Sequence, residues 1–230
     1  MSISMAEVGM VQLRVETTQE VAAWYENLPA TEKAAALDTG LELVQEMDRE
    51  RQRQPQQLPL TTAYMLVFGE YTALARAHAR ADRRLRELEA EEDELRTEVD
   101  RLRGHQPTST SPPLTPSPLL VPIGLITVSM THHQKERLCL PTPDEVEKQE
   151  VVGRALAYAC AAAVVAEVQD WNQGLARLVS RLRGRCAALS YELWTKEYDI
   201  RVIQLHINAF RAEIAFFTGD QRKSGGGGTH

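Results

Sequence analysis

The 230-residue chain has few cysteines, few aromatic side chains and no excess of positive charge. Its three cysteines, Cys139, Cys160 and Cys186, include no CxxC pair, which excludes a disulfide framework and favours a reducing, cytoplasmic compartment. With a net charge of -6, local patches would have to bind any nucleic acid. The longest apolar run, residues 155–166, is shorter than the roughly 20 residues of a membrane span, so we expect no membrane partner.

Catalytic and cofactor motifs are also missing from the sequence. There is no HExxH, GxSxG, P-loop or Rossmann fingerprint, so we expect neither enzymatic activity nor a cofactor. His132 and His133 precede Cys139, but no fourth ligand stands at zinc spacing, and we expect no metal. Four arginines indicate either a helix end with cations or a site for an acidic partner. They are Arg177, Arg181, Arg183 and Arg185.

The stretch GMVQLRVETTQEVAAW has the alternation of a strand with one apolar and one polar face. The apolar side consists of Val11, Leu13 and Val15, and the polar side of Gln12, Arg14 and Glu16. Thr17 and Glu20 have the spacing of a capping box, which predicts a helix from about Thr18. Pro29 should end that helix, and Thr31 is suited to be the N-cap of a second one.

Both predicted helices have an apolar stripe at helical spacing. The stripes consist of Val21, Trp24, Tyr25 and Leu28 in the first helix and Leu37, Leu41, Val44 and Met47 in the second. About forty residues of this kind cannot bury their own apolar surface, so the segment needs a partner. A second copy that pairs its strand antiparallel would bury both stripes and leave a two-stranded ribbon with a polar outer face.

This pattern, over residues 9–47, resembles the ribbon-helix-helix family of bacterial and plasmid repressors. The resemblance implies a module of residues 9–53 that binds DNA as a homodimer or higher oligomer, with the ribbon in the major groove. Alternate strand residues would then contact bases, which here are Gln12 and Arg14, with Glu16 as the third. Arg suits guanine and Gln suits adenine, whereas a carboxylate can accept only from cytosine.

The same resemblance implies that the start of the second helix holds a DNA phosphate, here around Thr31 and Lys33. Arg51 and Arg53 would add phosphate contacts from the segment that follows. Charge favours a different interpretation, because residues 1–50 contain three basic and ten acidic side chains. A strand that only pairs chains, without contacting DNA, is the alternative.

The rest of the chain divides into four further segments. Residues 60–104 fit a coiled-coil helix in which His78 and Glu92 interrupt the apolar row, and blocks of arginines and acids favour antiparallel pairing or an oppositely charged neighbour. Residues 105–122 form a Pro- and Ser-rich linker. Residues 123–218 begin with a short strand and continue as a helical hairpin with its turn at Gly184, although one long helix with a stutter also fits. Residues 219–230 are a flexible tail.

The predicted protein is therefore mainly α. It combines a ribbon-helix-helix module, a coiled-coil helix, a linker and a C-terminal helical hairpin. We expect a sequence-specific DNA-binding protein of the repressor, antitoxin or plasmid-maintenance type, with DNA and a second copy of the chain as partners. The alternative is a self-assembling helical protein, such as a scaffold or coat subunit, that does not distinguish DNA sequences.

Overall fold

The computed structural model describes residues 10–52, 58–104, 121–138, 144–167 and 172–224. In chain order the elements are β1 (Val11–Thr18), α1 (Gln19–Asn27), α2 (Ala30–Glu50), α3 (Leu60–Arg103), β2 (Ile123–Met130), α4 (His132–Arg137), α5 (Glu145–Glu167) and α6 (Asn172–Ser224). The predicted mainly helical class is confirmed. Most of the predicted linker, Arg53, and residues 225–230 of the predicted tail lie outside the described residues, whereas residues 219–224 belong to α6.

The order of elements occurs twice. A strand, a short helix, a longer helix and a very long helix follow one another as β1, α1, α2 and α3, and again as β2, α4, α5 and α6. The chain also divides into two compact units, residues 1–77 with 119–190 and residues 78–118 with 191–230. We name the first the core unit and the second the coil unit. Each half of the chain contributes to both units.

A two-stranded antiparallel sheet lies in the core unit. Its register sets Val11 opposite Met130 and Thr18 opposite Ile123. The inner sides of both strands are buried among the helices, because alternate residues of each strand are apolar. These inner residues are Leu13, Val15, Ile126, Val128 and Met130. The expectation that β1 pairs with a second copy is corrected: β2 of the same chain occupies that place.

Helix α5 is the central element of the core unit and packs on α2, β1 and α1. Buried residues follow one another without a gap from Ala155 to Ala161, so α5 has no polar side over this stretch. A Cβ at Gly40 would overlap the carbonyl of Ala155, so α2 and α5 approach closely there. Helix α5 is long and apolar enough to span a bilayer, but half of its apolar stretch is buried inside the protein, as in a core helix.

The predicted helix starts need correction by one or two residues. Thr18 is the N-cap of α1, and the third residue of the helix is the apolar Val21. No side chain caps this helix, so the predicted capping box of Thr17 and Glu20 does not form. Helix α2 starts after Pro29 rather than after Thr31. A capping box does form at α4, where the Gln134 amide donates to the Thr131 hydroxyl and the Gln134 side chain accepts from the Thr131 amide.

The coil unit pairs the later part of α3 with the later part of α6. The buried residues of the predicted α3 heptad in this unit are His78, Leu85, Leu88, Glu92 and Val99. Residues that are in contact differ by 114 positions, as in His78 with Glu192 and Asp82 with Lys196, so the two helices run parallel. The two residues that interrupt the apolar row are both paired. His78 Nε2 lies 2.9 Å from Glu192, and Glu92 lies 3.1 Å from His206. Antiparallel pairing, which the charge blocks favoured, does not occur between these helices.

Helix α6 continues through Gly184, so the predicted turn and the C-terminal hairpin built on it are wrong. Spacings of three and four residues run unbroken from Leu175 through Val179 and Leu182, without a stutter. Val179 rather than Leu178 is the buried residue at the second position. Farther along, Lys196 occupies a position of the same pattern.

Candidate nucleic-acid interface

The outer side of the ribbon is a single row of side chains from both strands. The residues of this outer face, in three cross-strand pairs, are Gln12 with Ser129, Arg14 with Thr127 and Glu16 with Leu125. Gln12, Arg14, Leu125 and Thr127 are exposed, and Glu16 and Ser129 are partly exposed. The three predicted base-contacting residues therefore lie on one exposed face. Sequence reasoning missed the other three, although the alternation of IGLITVSM contains the same signal.

The charge of this outer face is balanced, with one guanidinium from Arg14 and one carboxylate from Glu16. A neutral ribbon gives no long-range attraction for a polyanion. Hydrogen-bonding groups on the face are instead amide, guanidinium, carboxylate and hydroxyl, a set that can match base edges. These groups thus favour short-range hydrogen bonds to particular bases over long-range attraction of the DNA backbone.

A buried arginine connects the ribbon to the helices beneath it. Arg76 on α3 is 2% exposed, and its Nη2 lies 2.8 Å from Oε2 of Glu150 on α5. Its Nη1 donates to the backbone oxygen of Glu16 at 3.5 Å. A Cβ at Gly153 would overlap this guanidinium, so the glycine provides the space for it. Arg76 therefore holds the end of β1 in position relative to α3 and α5.

The first turn of α2 contains the residues predicted to hold a phosphate. Thr31 is exposed and Lys33 is partly exposed, with its ammonium 5.5 Å from the ring centre of Tyr25. The backbone amides of Glu32 and Lys33 donate to the carbonyl of Pro29 at 2.9 and 3.1 Å. Because those two amides already have an acceptor, a phosphate here would depend on other groups of this turn, such as the Lys33 side chain and the Thr31 hydroxyl.

Arg51 lies at the opposite end of α2 from Lys33. Eighteen residues of helix separate them, which is about 27 Å, so the structure does not bring the two predicted phosphate contacts together. Arg51 donates to the Tyr158 hydroxyl at 3.2 Å and lies 3.8 Å from Asp48. The predicted contact at Arg53 lies outside the described residues.

Lys148 occupies in α5 the position that Lys33 occupies in α2, the fourth residue of the helix, but its ammonium lies 3.9 Å from the carboxylate of Glu145. The first turn of α5 contains Glu145 and Glu147, and the carboxylate of Asp144 accepts from the amide of Glu147 at 2.7 Å. Carboxylates at a helix start occupy the position that an anion would take. Helix α2 is the better suited of the two to a phosphate, because its first turn contains one carboxylate, Glu32, rather than two.

A groove of about 450 Å³ opens elsewhere in the core unit, between α1, α3 and α6. Glu20, Arg181 and Arg185 provide its charges, and Tyr64 and Phe68 part of its wall. The Arg185 guanidinium lies 5.7 Å from the ring centre of Tyr71. Burial, with smaller contributions from Glu20 and Cys160, raises the pKa of Tyr64 to about 12, so this wall stays uncharged at neutral pH.

Cys160 and Cys186 are buried thiols. Burial, assisted by Glu20, raises the pKa of Cys160 to about 12. Burial, with a contribution from Glu70, raises that of Cys186 to about 11. No group of three or more His, Cys, Asp or Glu side chains within the described ranges is arranged to hold a metal ion.

No protein-family model, curated protein or solved structure matches this chain.

Proposed function

We propose that the chain is a sequence-specific DNA-binding protein in which one chain provides both strands of a ribbon-helix-helix ribbon. The observation that supports this most is the register of β1 and β2, which gathers Gln12, Arg14, Thr127 and Ser129 on one exposed face above a buried apolar face. A two-stranded ribbon of this size fits the major groove. The strand that β1 needs is in the same chain, so base contact does not require a second copy.

Each strand would contribute a different kind of base contact. From β1, Arg14 would bond guanine at two acceptors, and Gln12 would bond adenine at an acceptor and a donor. Glu16 would accept from the amino group of cytosine. From β2, the Thr127 hydroxyl would bond either kind of edge, and Leu125 would contact a thymine methyl. Because the ribbon of one chain is asymmetric, the DNA segment that one chain contacts need not be a palindrome.

Phosphate contact would come from the β1 side of the ribbon, through Thr31 and Lys33. Since the first turn of α5 has two carboxylates, and Lys148 lies beside one of them, the other side would contribute less. Repressor, antitoxin and plasmid-maintenance roles share this chemistry and stay together in the proposal, with a cytoplasmic location and no enzymatic activity. A second copy of the chain is proposed as a further partner.

The experiment is selection of a preferred site from random DNA with the full chain, followed by retardation assays at two or more salt concentrations. Arg14→Ala should weaken binding to the preferred site by about 1–3 kcal/mol and change random-sequence binding much less. Lys33→Ala is the matched control, because losing a phosphate contact should weaken all sequences alike and lower the salt slope by about one. An unchanged ratio of specific to random affinity in Arg14→Ala would refute base contact by β1.

The alternative function is self-assembly of a helical scaffold or coat subunit. The acidic composition of residues 1–50, with ten acidic against three basic side chains, favours it, because DNA repels such a surface. On this account the selection enriches no sequence, and the full chain retards no DNA even at low salt. The same assay therefore decides between the two functions.

A further inference from the structure

Helix α6 has two apolar sides in the coil unit. Ile207, which is fully buried, marks the side that belongs to the heptad pattern. A second row of exposed residues recurs every three or four positions, and at about 100° per residue it lies on the opposite side of the helix. This row, the outer stripe, consists of Tyr191, Trp194, Tyr198, Arg201, Leu205, Ala209, Ala212 and Phe216.

The outer stripe is aromatic at its start and nearly uncharged along its length. Tyr191 and Trp194 have ring centres 6.3 Å apart, and Trp194 and Tyr198 have ring centres 6.5 Å apart. These three side chains are 69%, 64% and 60% exposed, and Leu205 and Phe216 are each 68% exposed. Apolar residues at heptad spacing on an exposed helix face indicate that another helix covers them.

The apolar area is sufficient for a stable contact between two copies. A fully buried aromatic side chain removes about 150–250 Å² of surface from solvent. The aromatic side chains of the outer stripe are about two thirds exposed, so together with Leu205 they could bury roughly 600 Å² per copy. Two copies would bury about 1,200 Å², which is where specific interfaces begin. We propose that the outer stripe binds the outer stripe of a second copy of this chain.

The order of large and small residues points to antiparallel pairing. With the centre between Arg201 and Val202, Tyr191 faces Ala212 of the second copy and Trp194 faces its Ala209. Large residues opposite small ones let two helices pack closely. In this register Arg201 lies one helical turn from Tyr198 of the second copy, whose ring can accept a guanidinium. Parallel pairing would set ring on ring and alanine on alanine.

Sedimentation equilibrium of the full chain without DNA tests the contact. The wild type should approach twice its mass of 25.8 kDa with rising concentration. Replacing Trp194 and Tyr198 together by Ala should raise the dimer dissociation constant at least about 100-fold. Ala is the strongest helix former, so α6 should keep its helicity in circular dichroism. Val146→Asp, at a residue of α5 that is 58% exposed and outside the stripe, is the control and should leave the dimer unchanged.

A wild type that stays at 25.8 kDa throughout, or a double variant that still dimerises like it, would overturn the proposal. Spin labels on Gly219→Cys, in a Cys139→Ser background, measure the orientation. Antiparallel helices should place the two labels about 50 Å apart, whereas parallel helices would bring them within about 15 Å. The short distance would refute the antiparallel contact. Neither measurement involves DNA, so its outcome is separate from that of the proposed function.

Discussion

The outer side of β1 carries two charged residues, Arg14 and Glu16, whereas the outer side of β2 carries none. The second helix of each half differs in the same sense, with α2 more polar than α5. Helix α2 is amphipathic, with buried residues such as Leu37 and Leu41 on one side, whereas α5 is buried on all sides around Leu156. The two halves of the chain share an order of elements but contribute differently to the surface and to the core.

This difference shows what a single chain can do with a repeated architecture. Two identical copies would have to use one sequence both for the surface and for the core. Here the first half provides charged groups at the ribbon and at the start of α2, and the second half provides the apolar helix around which α1, α2 and β1 pack. The functional face is consequently asymmetric.

The largest expected effect comes from placing one carboxylate in each of the two second helices, at a buried alanine of α5 and at an exposed alanine of α2. Ala157→Asp in α5 would bury a carboxylate without a partner, because Ala157 is 0% exposed, and should lower the free energy of unfolding by at least about 3 kcal/mol. Ala35→Asp in α2 is exposed and should change it by about 1 kcal/mol or less, mostly through helix propensity. Urea unfolding followed by circular dichroism measures both. Similar losses in the two variants would show that α5 is not the core helix.

A smaller effect is expected at the charged pair in the coil unit, to which each half contributes one member. Lys196 Nζ lies 2.6 Å from Asp82 Oδ1, and both side chains are 14% exposed. Lys196→Met would leave the Asp82 carboxylate without this donor and should lower the free energy of unfolding by about 1–3 kcal/mol at pH 7. Arg101→Met is the control, since its pair with Glu98 is largely exposed and the unfolding midpoint should not move.

The Asp82–Lys196 pair also predicts how this loss of stability depends on pH. Burial alone raises the pKa of Asp82, but the hydrogen bond and charge of Lys196, with Arg86 and His78, outweigh burial and lower the pKa below 3.8. A lowered folded-state pKa stabilises the protein above the unfolded value and ceases to do so as the pH falls through the folded value. The difference between wild type and Lys196→Met should therefore be constant near neutrality and shrink below pH 3.8. A difference that grows in acid would contradict this assignment.

The local patterns were sufficient to predict most elements of the first half. The alternation around Arg14 predicted β1 and its outer side, and Pro29 predicted the end of α1. The heptad of α3 predicted one continuous helix in spite of the polar residues His78 and Glu92, which are buried. These features depend on residues within one or two turns of each other. Local propensity and periodicity therefore determine them.

The partner of β1 was not predictable in this way. Strand β2 begins 105 residues after β1 ends, and nothing in the period of either strand specifies whether its partner belongs to the same chain. The apolar sides are buried only when a second strand is present, and a strand of the same chain or of another copy meets this requirement equally well. The sequence thus predicted the need for a ribbon but attributed its second strand to another copy.

Two of the errors in helix boundaries, at Thr17 and at Gly184, have local causes. Thr17 has a Glu three residues later, but the strand extends to Thr18, and the hydroxyls of both threonines are buried without a hydrogen-bond partner in the described part of the chain. At Gly184 the choice of a turn depended on glycine alone, yet a glycine inside a helix only weakens it by about 1 kcal/mol. The unbroken heptad of α6 outweighs that loss.

Chemical cross-linking of the ribbon tests most directly whether two halves of one chain form it. Gln12→Cys and Ser129→Cys, introduced together in a Cys139→Ser background, place two thiols at opposite positions of β1 and β2. At low protein concentration a short bismaleimide should join them within one chain, so the product keeps the mass of a monomer and digestion yields a linked peptide of β1 and β2. Each single variant should give no such product. A cross-linked dimer in place of the intramolecular product would show that the ribbon forms between copies.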